Sequence, residues 1–438
     1  MPSVFPRPGR SASALLWLAL LSVYVLAGTP LVPFHADEAT QIYLTHDYAY
    51  LFMERDPARL QYRPEPPEPD LQALRILNGS LARYAMGLSW HLAGYQLADI
   101  NGQWDWGADR DYNQRAGHEP SPSLLLVSRW PSALLLVASV WLLFALGQVA
   151  GGRAVAYLAS AYYALNPAVL LNGRRAMMEG SLLLTELLVV LASLYFLSKR
   201  TLVSALLLGV AAGLALAAKH SNALTVALVF AACGGYALLE RLALRRVSGG
   251  ALVRSLALLL AASALAVAGF VALNPVWWGQ NPLHMLGRTL NDRAALLDLQ
   301  IALFGGYGGR ADQLAGFFRQ AFVVLPQYYE APEFGLWIAG EIARYEGSLL
   351  RGVSIGGSLP GSLLVIALAA LGAWALLRRQ DIPLATRWVT GVWALGLLLA
   401  TWLLTPLEWQ RYYLPVYPAI GLLGALGVAQ AARFGRSP

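Results

Sequence analysis

The stretch "ALLWLALLSVYVLAGTPLVPFHADEA", residues 14–39, decides how the rest of the chain is read. Residues 14–32 carry no charge, and as a helix they are long enough to cross ~30 Å of hydrocarbon. Arg7 and Arg10 precede the run and the small residues Ala27 and Gly28 fall near its end, as in a secretory signal. The run is longer than a signal core, so it is read as a retained first span. Asp37 and Glu38 then stand side by side just beyond it.

Working outward, similar apolar runs recur at 123–148, 153–171, 180–197, 201–218, 221–239, 252–273, 359–377, 386–404 and 414–431. They predict an all-α polytopic membrane protein, a bundle of about 10 transmembrane helices (about 9–12) in which the whole of 1–438 forms a single transmembrane domain. The composition agrees, with 57% hydrophobic and 13% charged residues. With the N-terminus in the cytoplasm, the loops on its side carry Arg153, Lys199 with Arg200, Arg241 with Arg245 and Arg246, Arg378 with Arg379 and Arg387, and Arg433 with Arg436. That basic bias is the positive-inside signature, and an even number of spans returns the C-terminus to the same side. It also accounts for the net charge of +7 without nucleic acid, because the cations fall in short clusters between spans. Cys233 is the only cysteine, so no intramolecular disulfide forms.

The opposite face receives two long segments, 33–122 and 274–358. The first carries the acidic motif and the Pro-rich "YRPEPPEPD", which cannot be regular helix. The second begins "NPVWWGQNPLHMLGRTLNDRAALLDLQIALF" and mixes helical periodicity with Trp, as helices lying in the membrane interface do. Trp104, Trp106, Trp277 and Trp278 suit an interfacial belt or a cover over a sugar.

Several charges break the topological bias. Short outer loops should be poor in basic residues, yet "NGRRAMMEGS" holds Arg174, Arg175 and Glu179, "ALAAKHSNAL" holds Lys219 and His220, and "TPLEWQRYYLP" holds Glu408, Arg411 and Tyr412. Arg129 stands near the outer start of the second span. Taken singly, each has a plain reading: a solvated loop start for Asp37 and Glu38, a snorkelling anchor for Arg174 and Arg175, an aromatic-belt anchor for Arg411. His220 reads as a helix-end polar residue, since no second His lies at ligand spacing. Together they predict one pocket at the outer membrane surface, lined by carboxylates and cations. A carboxylate there can take a proton from a hydroxyl, and the cations can stabilise a departing phosphate. No Gly-rich phosphate loop follows a strand, so a soluble nucleotide-sugar donor is disfavoured. Glu186, inside the fourth span, has no assigned role.

In order along the chain, "HADEA", "SRWPSALLL", "ALNPAVLLNGRRAMMEG", "GLALAAKHSNAL", "ALNPVWWGQNPL" and "WQRYYLPVYPAIGLL" resemble the GT-C membrane glycosyltransferases. The resemblance is to the branch of protein O-mannosyltransferases and lipid A aminoarabinose transferases. It implies a GT-C-type bundle that transfers a sugar, with inversion, from a polyprenyl-phosphate donor to a hydroxyl of a lipid, glycan or protein on the extracytoplasmic side. It further implies Asp37 as catalytic base with Glu38 beside it, Glu179 as the second acidic position, and Lys219, Arg175, Arg174, Arg129 and Arg411 around the donor phosphate, with His220 and Tyr412 nearby. It fixes no cofactor, and it allows a divalent metal ion between Asp37 and Glu179, as in part of the family. The alternative reading is a transporter or flippase of lipid-linked sugars, which would place its polar residues near mid-membrane.

Overall fold

The computed structural model describes residues 12–435, so the expected basic residues Arg7, Arg10 and Arg436 lie outside it. Among the described residues every regular element is helical. The elements used below are α1 (Ala12–Ala27), α2 (Ala36–Tyr43), α3 (Pro69–Leu77), α4 (Leu81–Leu92), α5 (Pro122–Gly151), α6 (Arg153–Ala164), α7 (Pro167–Gly173), α8 (Glu179–Lys199), α9 (Leu202–Ala218) and α10 (Asn222–Leu242). They continue with α11 (Gly249–Leu273), α12 (Pro282–Phe304), α13 (Arg310–Phe318), α14 (Ala339–Glu346), α15 (Leu359–Arg378), α16 (Leu384–Leu404), α17 (Gln410–Tyr413) and α18 (Val416–Phe434).

Each of the ten apolar runs is helical, but length and apolarity suffice for crossing a bilayer in 7 helices among the described residues: α1 with its extension to Leu31, α5, α8, α10, α11, α15 and α16. The third run breaks into α6 and α7, bent by 61°. The break is written in the sequence: the Asn166 side chain accepts the backbone N–H groups of Ala168 (3.0 Å) and Val169 (3.1 Å), and Pro167 supplies a first helical position that needs no donor. The fifth run, α9, is apolar but only 17 residues long.

α8 occupies the centre. Of its apolar window 72% is buried, against 17% for α11 at the rim, and it packs on α5, α9 and α10. The last helix, α18, lies against α15 and α6, and α1 lies on α5. Between helices in lipid the cohesion comes from close packing and internal hydrogen bonds, because water provides no drive there. Two bonds show polar groups finding partners inside the bundle, although Glu186 keeps one buried oxygen without a donor. Pro131 inside α5 has no N–H to offer the carbonyl of Val127, and the Ser89 hydroxyl of α4 donates to it instead at 2.8 Å. Glu186, fully buried in α8, accepts the indole N–H of Trp393 at 3.1 Å.

The segment between α1 and α5 folds over one end of this bundle through α2, α3 and α4. Asp47 anchors it internally, accepting from Arg75 (2.6 Å) and Arg83 (2.5 Å), all three buried. It is tied to the membrane helices where the Ser80 N–H donates to the Ala217 carbonyl at the end of α9 (2.8 Å). The second long segment contributes α12, α13 and α14 at the same end.

Candidate functional site

The site starts at the N-terminus of α2. His35 is its cap: the ring Nδ1 accepts the Asp37 N–H at 3.1 Å, while Glu38 reaches back to accept the His35 N–H at 3.1 Å. This reciprocal box fixes where the helix begins, and both carboxylates sit in its first turn, where the helix dipole favours negative charge. Consecutive side chains on a helix point about 100° apart, so Asp37 and Glu38 look into different surroundings.

Glu38 faces inward and has no exposed surface. Arg129 donates to it through Nε and Nη2, both at 2.7 Å, and the backbone N–H of Ala176 adds a third bond at 2.8 Å. Burial pushes its pKa up, but Arg129 and, less strongly, Arg175 and the Ala176 N–H outweigh that and hold it below the usual carboxylate value. Arg129 spends its remaining nitrogen on the Val32 carbonyl at 2.8 Å. Glu38 is thus held entirely by protein donors, whereas Arg129, expected at the donor phosphate, is committed to Glu38 and Val32 and borders a separate cavity with Arg110 and Arg344.

The same applies to the double arginine. Arg174 is fully buried and donates to the carbonyls of Tyr24 (2.7 Å), Val25 (2.8 Å) and Leu350 (2.5 Å) and to the Tyr345 hydroxyl (3.0 Å). It thereby satisfies carbonyls that the last turn of α1 leaves without helical partners. Gly28 makes room for it, since a Cβ there would stand 2.2 Å from the guanidinium carbon. Arg175, also buried, donates to the carbonyls of Pro33 (3.3 Å) and Tyr328 (2.9 Å) and joins the two outer segments. Both arginines bind backbone where a donor phosphate was expected.

Asp37 points the other way and its side chain is 24% exposed. It pairs with Nη1 of Arg411, which the chain brings from just before α18. Arg411 Nε lies 2.6 Å from Glu330 Oε1, an ionic contact whose angle is poor for a hydrogen bond. Glu330 Oε2 sits 3.0 Å from His35 Nε2. Because His35 Nδ1 is an acceptor, Nε2 carries the hydrogen and donates to Glu330. The four side chains close a ring, with His35 Nδ1 3.8 Å from Asp37. Although burial pushes the Glu330 pKa up, Arg411 and His35 hold it far below the ordinary value. Tyr329 stacks on the His35 ring at 4.3 Å and accepts the Ala36 N–H at 2.9 Å, which fixes the turn.

Glu179 and Lys219 form the adjoining pair, at 2.8 Å. Glu179 Oε2 is buried with no donor, and the Glu179 charge also acts on Arg411. Lys219 and Arg411 line a cavity of about 280 Å³ together with Arg293 and Tyr412. Its walls are apolar, with Leu296 and Leu297 of α12 facing Leu397 and Leu404 of α16. Arg293 forms no ion pair among the described residues. The Tyr412 hydroxyl donates to Gln300 at 3.1 Å. His220 sits beside Lys219 with Nδ1 buried and unpartnered; burial and the nearby Arg293 and Arg83 push its pKa down to about 3, so it stays neutral.

The structure therefore brings together Asp37, Arg411, Glu179 and Lys219, and turns Glu38, Arg129, Arg174 and Arg175 away. Sequence reasoning missed His35, Glu330 and Arg293. His35 was legible as a residue three before an acidic residue at a helix start; Glu330 lies in an irregular part of the second outer segment, and Arg293 lies on α12, where a charge on an outer-segment helix does not stand out. Between Asp37 and Glu179, where a metal was allowed, each carboxylate is matched by a cation, and among the described residues no group of three or more His, Cys, Asp or Glu is placed to hold an ion.

Residues 78–274, less than half of the chain, match the family model for dolichyl-phosphate-mannose-protein mannosyltransferases. Among curated proteins no sequence match is found. The apo oligosaccharyltransferase of Archaeoglobus fulgidus superposes with a TM-score of 0.54 at 14% identity, covering 96% of this chain and 50% of that one. ArnT of Cupriavidus metallidurans, bound to undecaprenyl phosphate, gives 0.48 at 12% identity over 96% and 61% of the two chains. The Pmt1–Pmt2 protein O-mannosyltransferase complex of S. cerevisiae, bound to its sugar donor, gives 0.45 at 18% identity over 61% and 34%. The chain thus spans between about a third and three fifths of the length of these proteins. The all-helical architecture is the GT-C fold, shared with the archaeal enzyme.

Proposed function

We propose that this chain is an integral membrane glycosyltransferase that moves a sugar from a polyprenyl-phosphate carrier to a hydroxyl acceptor on the extracytoplasmic side, with both termini in the cytoplasm. One observation carries the reading: the cavity is lined mostly by apolar surface but also by three cations, Lys219, Arg293 and Arg411, and Arg411 also pairs with the partly exposed Asp37. An apolar tail with a single anionic head matches such a cavity, and the matching family model is named for a dolichyl-phosphate sugar.

In this mechanism the carrier lies between α12 and α16 with its phosphate at Lys219, Arg293 and Arg411. Arg293 has no carboxylate partner among the described residues, which makes it the readiest anchor. Asp37 accepts the proton of the acceptor hydroxyl as that oxygen bonds to the anomeric carbon. The bond from carbon to phosphate oxygen breaks on the opposite face, which inverts the centre, and the electron pair leaves with polyprenyl phosphate. Cations held in a site with little water stabilise that growing charge. Glu38, Arg129, Arg174 and Arg175 act one step back, by fixing α2 and the end of α1.

The test is to incubate the purified protein with a panel of polyprenyl-phosphate sugars and measure which is consumed. Consumption of one donor, abolished by Asp37→Asn with the fold retained, is the expected result. Full activity of that variant removes Asp37 from the base role, and uptake of an intact lipid-linked sugar across vesicles without turnover replaces the enzyme by a transporter.

A further inference from the structure

Arg129 and Arg411 meet their carboxylates by different edges. Arg129 turns its Nε and Nη2 to Glu38, and each nitrogen binds one oxygen at 2.7 Å. Such a side-on fork occupies both oxygens of the carboxylate at once. In Arg411 the Nε end of that edge is fronted by Glu330 Oε1 at 2.6 Å. Asp37 is left with Nη1, which it meets through Oδ2 alone. His35 Nδ1 lies nearest the same oxygen, at 3.8 Å, and Asp37 Oδ1 takes no donor among the described residues.

Glu330 is built into this position from both sides. Its Oε2 accepts His35 Nε2 at 3.0 Å, and the preceding Tyr329 stacks on His35 and accepts the Ala36 N–H, which fastens the stretch to the start of α2. Three residues before Glu330, the Gln327 side chain donates to the Glu408 carbonyl at 3.1 Å and accepts the Gln410 N–H at 2.6 Å. The same stretch is therefore fastened to the chain that carries Arg411. We propose that Glu330 is a positioning residue for transfer: standing against Arg411 Nε, it keeps the guanidinium from closing side-on over Asp37 and leaves Oδ1 open to receive the acceptor's proton. Without it, Asp37 would be gripped as Glu38 is. The role in transfer rests on the proposed function above, whereas the geometric part, that Glu330 limits Arg411 to one oxygen of Asp37, stands by itself.

The experiment is a double-mutant cycle on the full-length protein in detergent. With Arg411 in place, Glu330→Ala frees the Nε edge, and kcat falls about tenfold while the Michaelis constant for the donor stays unchanged. Arg411→Lys lowers transfer by itself, but an ammonium cannot fork over a carboxylate, so adding Glu330→Ala to it costs less than a further factor of about two. A structure of the Glu330→Ala variant shows Arg411 on both oxygens of Asp37. Glu330→Gln, which keeps bulk against Nε, is carried in parallel and retains more activity than Glu330→Ala; the thermal transition of each variant identifies a misfolded protein. An equal loss with Arg411 and with Arg411→Lys overturns the proposal, as does a structure in which Asp37 is still met through one oxygen. Loss of the thermal transition in both Glu330 variants overturns it too, since the residue then holds the fold rather than the base. Should the wild type consume no sugar donor, the proposed function fails, while the structure of Glu330→Ala still decides what Glu330 does to the contact between Asp37 and Arg411.

Discussion

Two adjacent carboxylates on one short helix meet opposite fates. Glu38 is sealed: every nitrogen of Arg129 is used, a backbone N–H completes the set, and the carboxylate has no exposed surface. Asp37 is held by an arginine that it shares with Glu330 and that opens on a cavity. The first arrangement is complete and therefore structural; the second has an unused guanidinium edge beside an orphan oxygen on Glu179, and therefore has chemistry left to do. Whether an ionic group is satisfied separates scaffold from site here better than charge or location does.

The contrast is broken most directly by Asp37→Asn, which should reduce transfer about 10³-fold while the thermal transition stays near that of the wild type. On the sealed side, Arg129→Ala leaves Glu38 buried and unpaired and should cost about 3 kcal/mol of stability, visible as a lost or much lowered transition in detergent. A paired replacement, Glu38→Leu with Arg129→Met, should recover much of that loss, since no charge is then stranded. If Arg129→Ala instead kept its stability and raised the Michaelis constant for the donor, the two sides would have to be exchanged. Arg293→Ala should raise that constant about tenfold with little change in turnover, as expected for ground-state binding of the phosphate.

The smallest effect is in pH. Glu38 and Glu330 both have pKa values below the ordinary carboxylate value in the folded protein. Their contribution to stability is present above the unfolded value, about 4.3, and is lost as pH falls through the folded values. The thermal transition should therefore be flat from neutral pH down to that region and decline only below it, and Glu38→Gln should weaken the decline.

Much of the fold was legible because lipid imposes a simple rule, an uncharged run of sufficient length, and every such run is helical. What the rule does not carry is where a helix breaks: Asn166 and Pro167 split the third run by cap chemistry that a hydropathy window averages away. The site was half legible. The acidic pair after the first span led to Asp37, and charges that violate the topological bias led to Glu179, Lys219 and Arg411, but the latter signal also caught Arg174 and Arg175, because a buried arginine that binds carbonyls is as exceptional in sequence as one that binds phosphate. Glu330 and Arg293 escaped because charges in a long outer segment are unremarkable until the fold brings them inward.

Asp37 and Arg411 lie 374 positions apart along the chain. A ribosome threading this protein into the membrane releases the acidic motif long before the arginine. In the interval Asp37 waits without its counter-charge, so the pair proposed as the reactive centre can form only after every helix from α2 to α16 has been made.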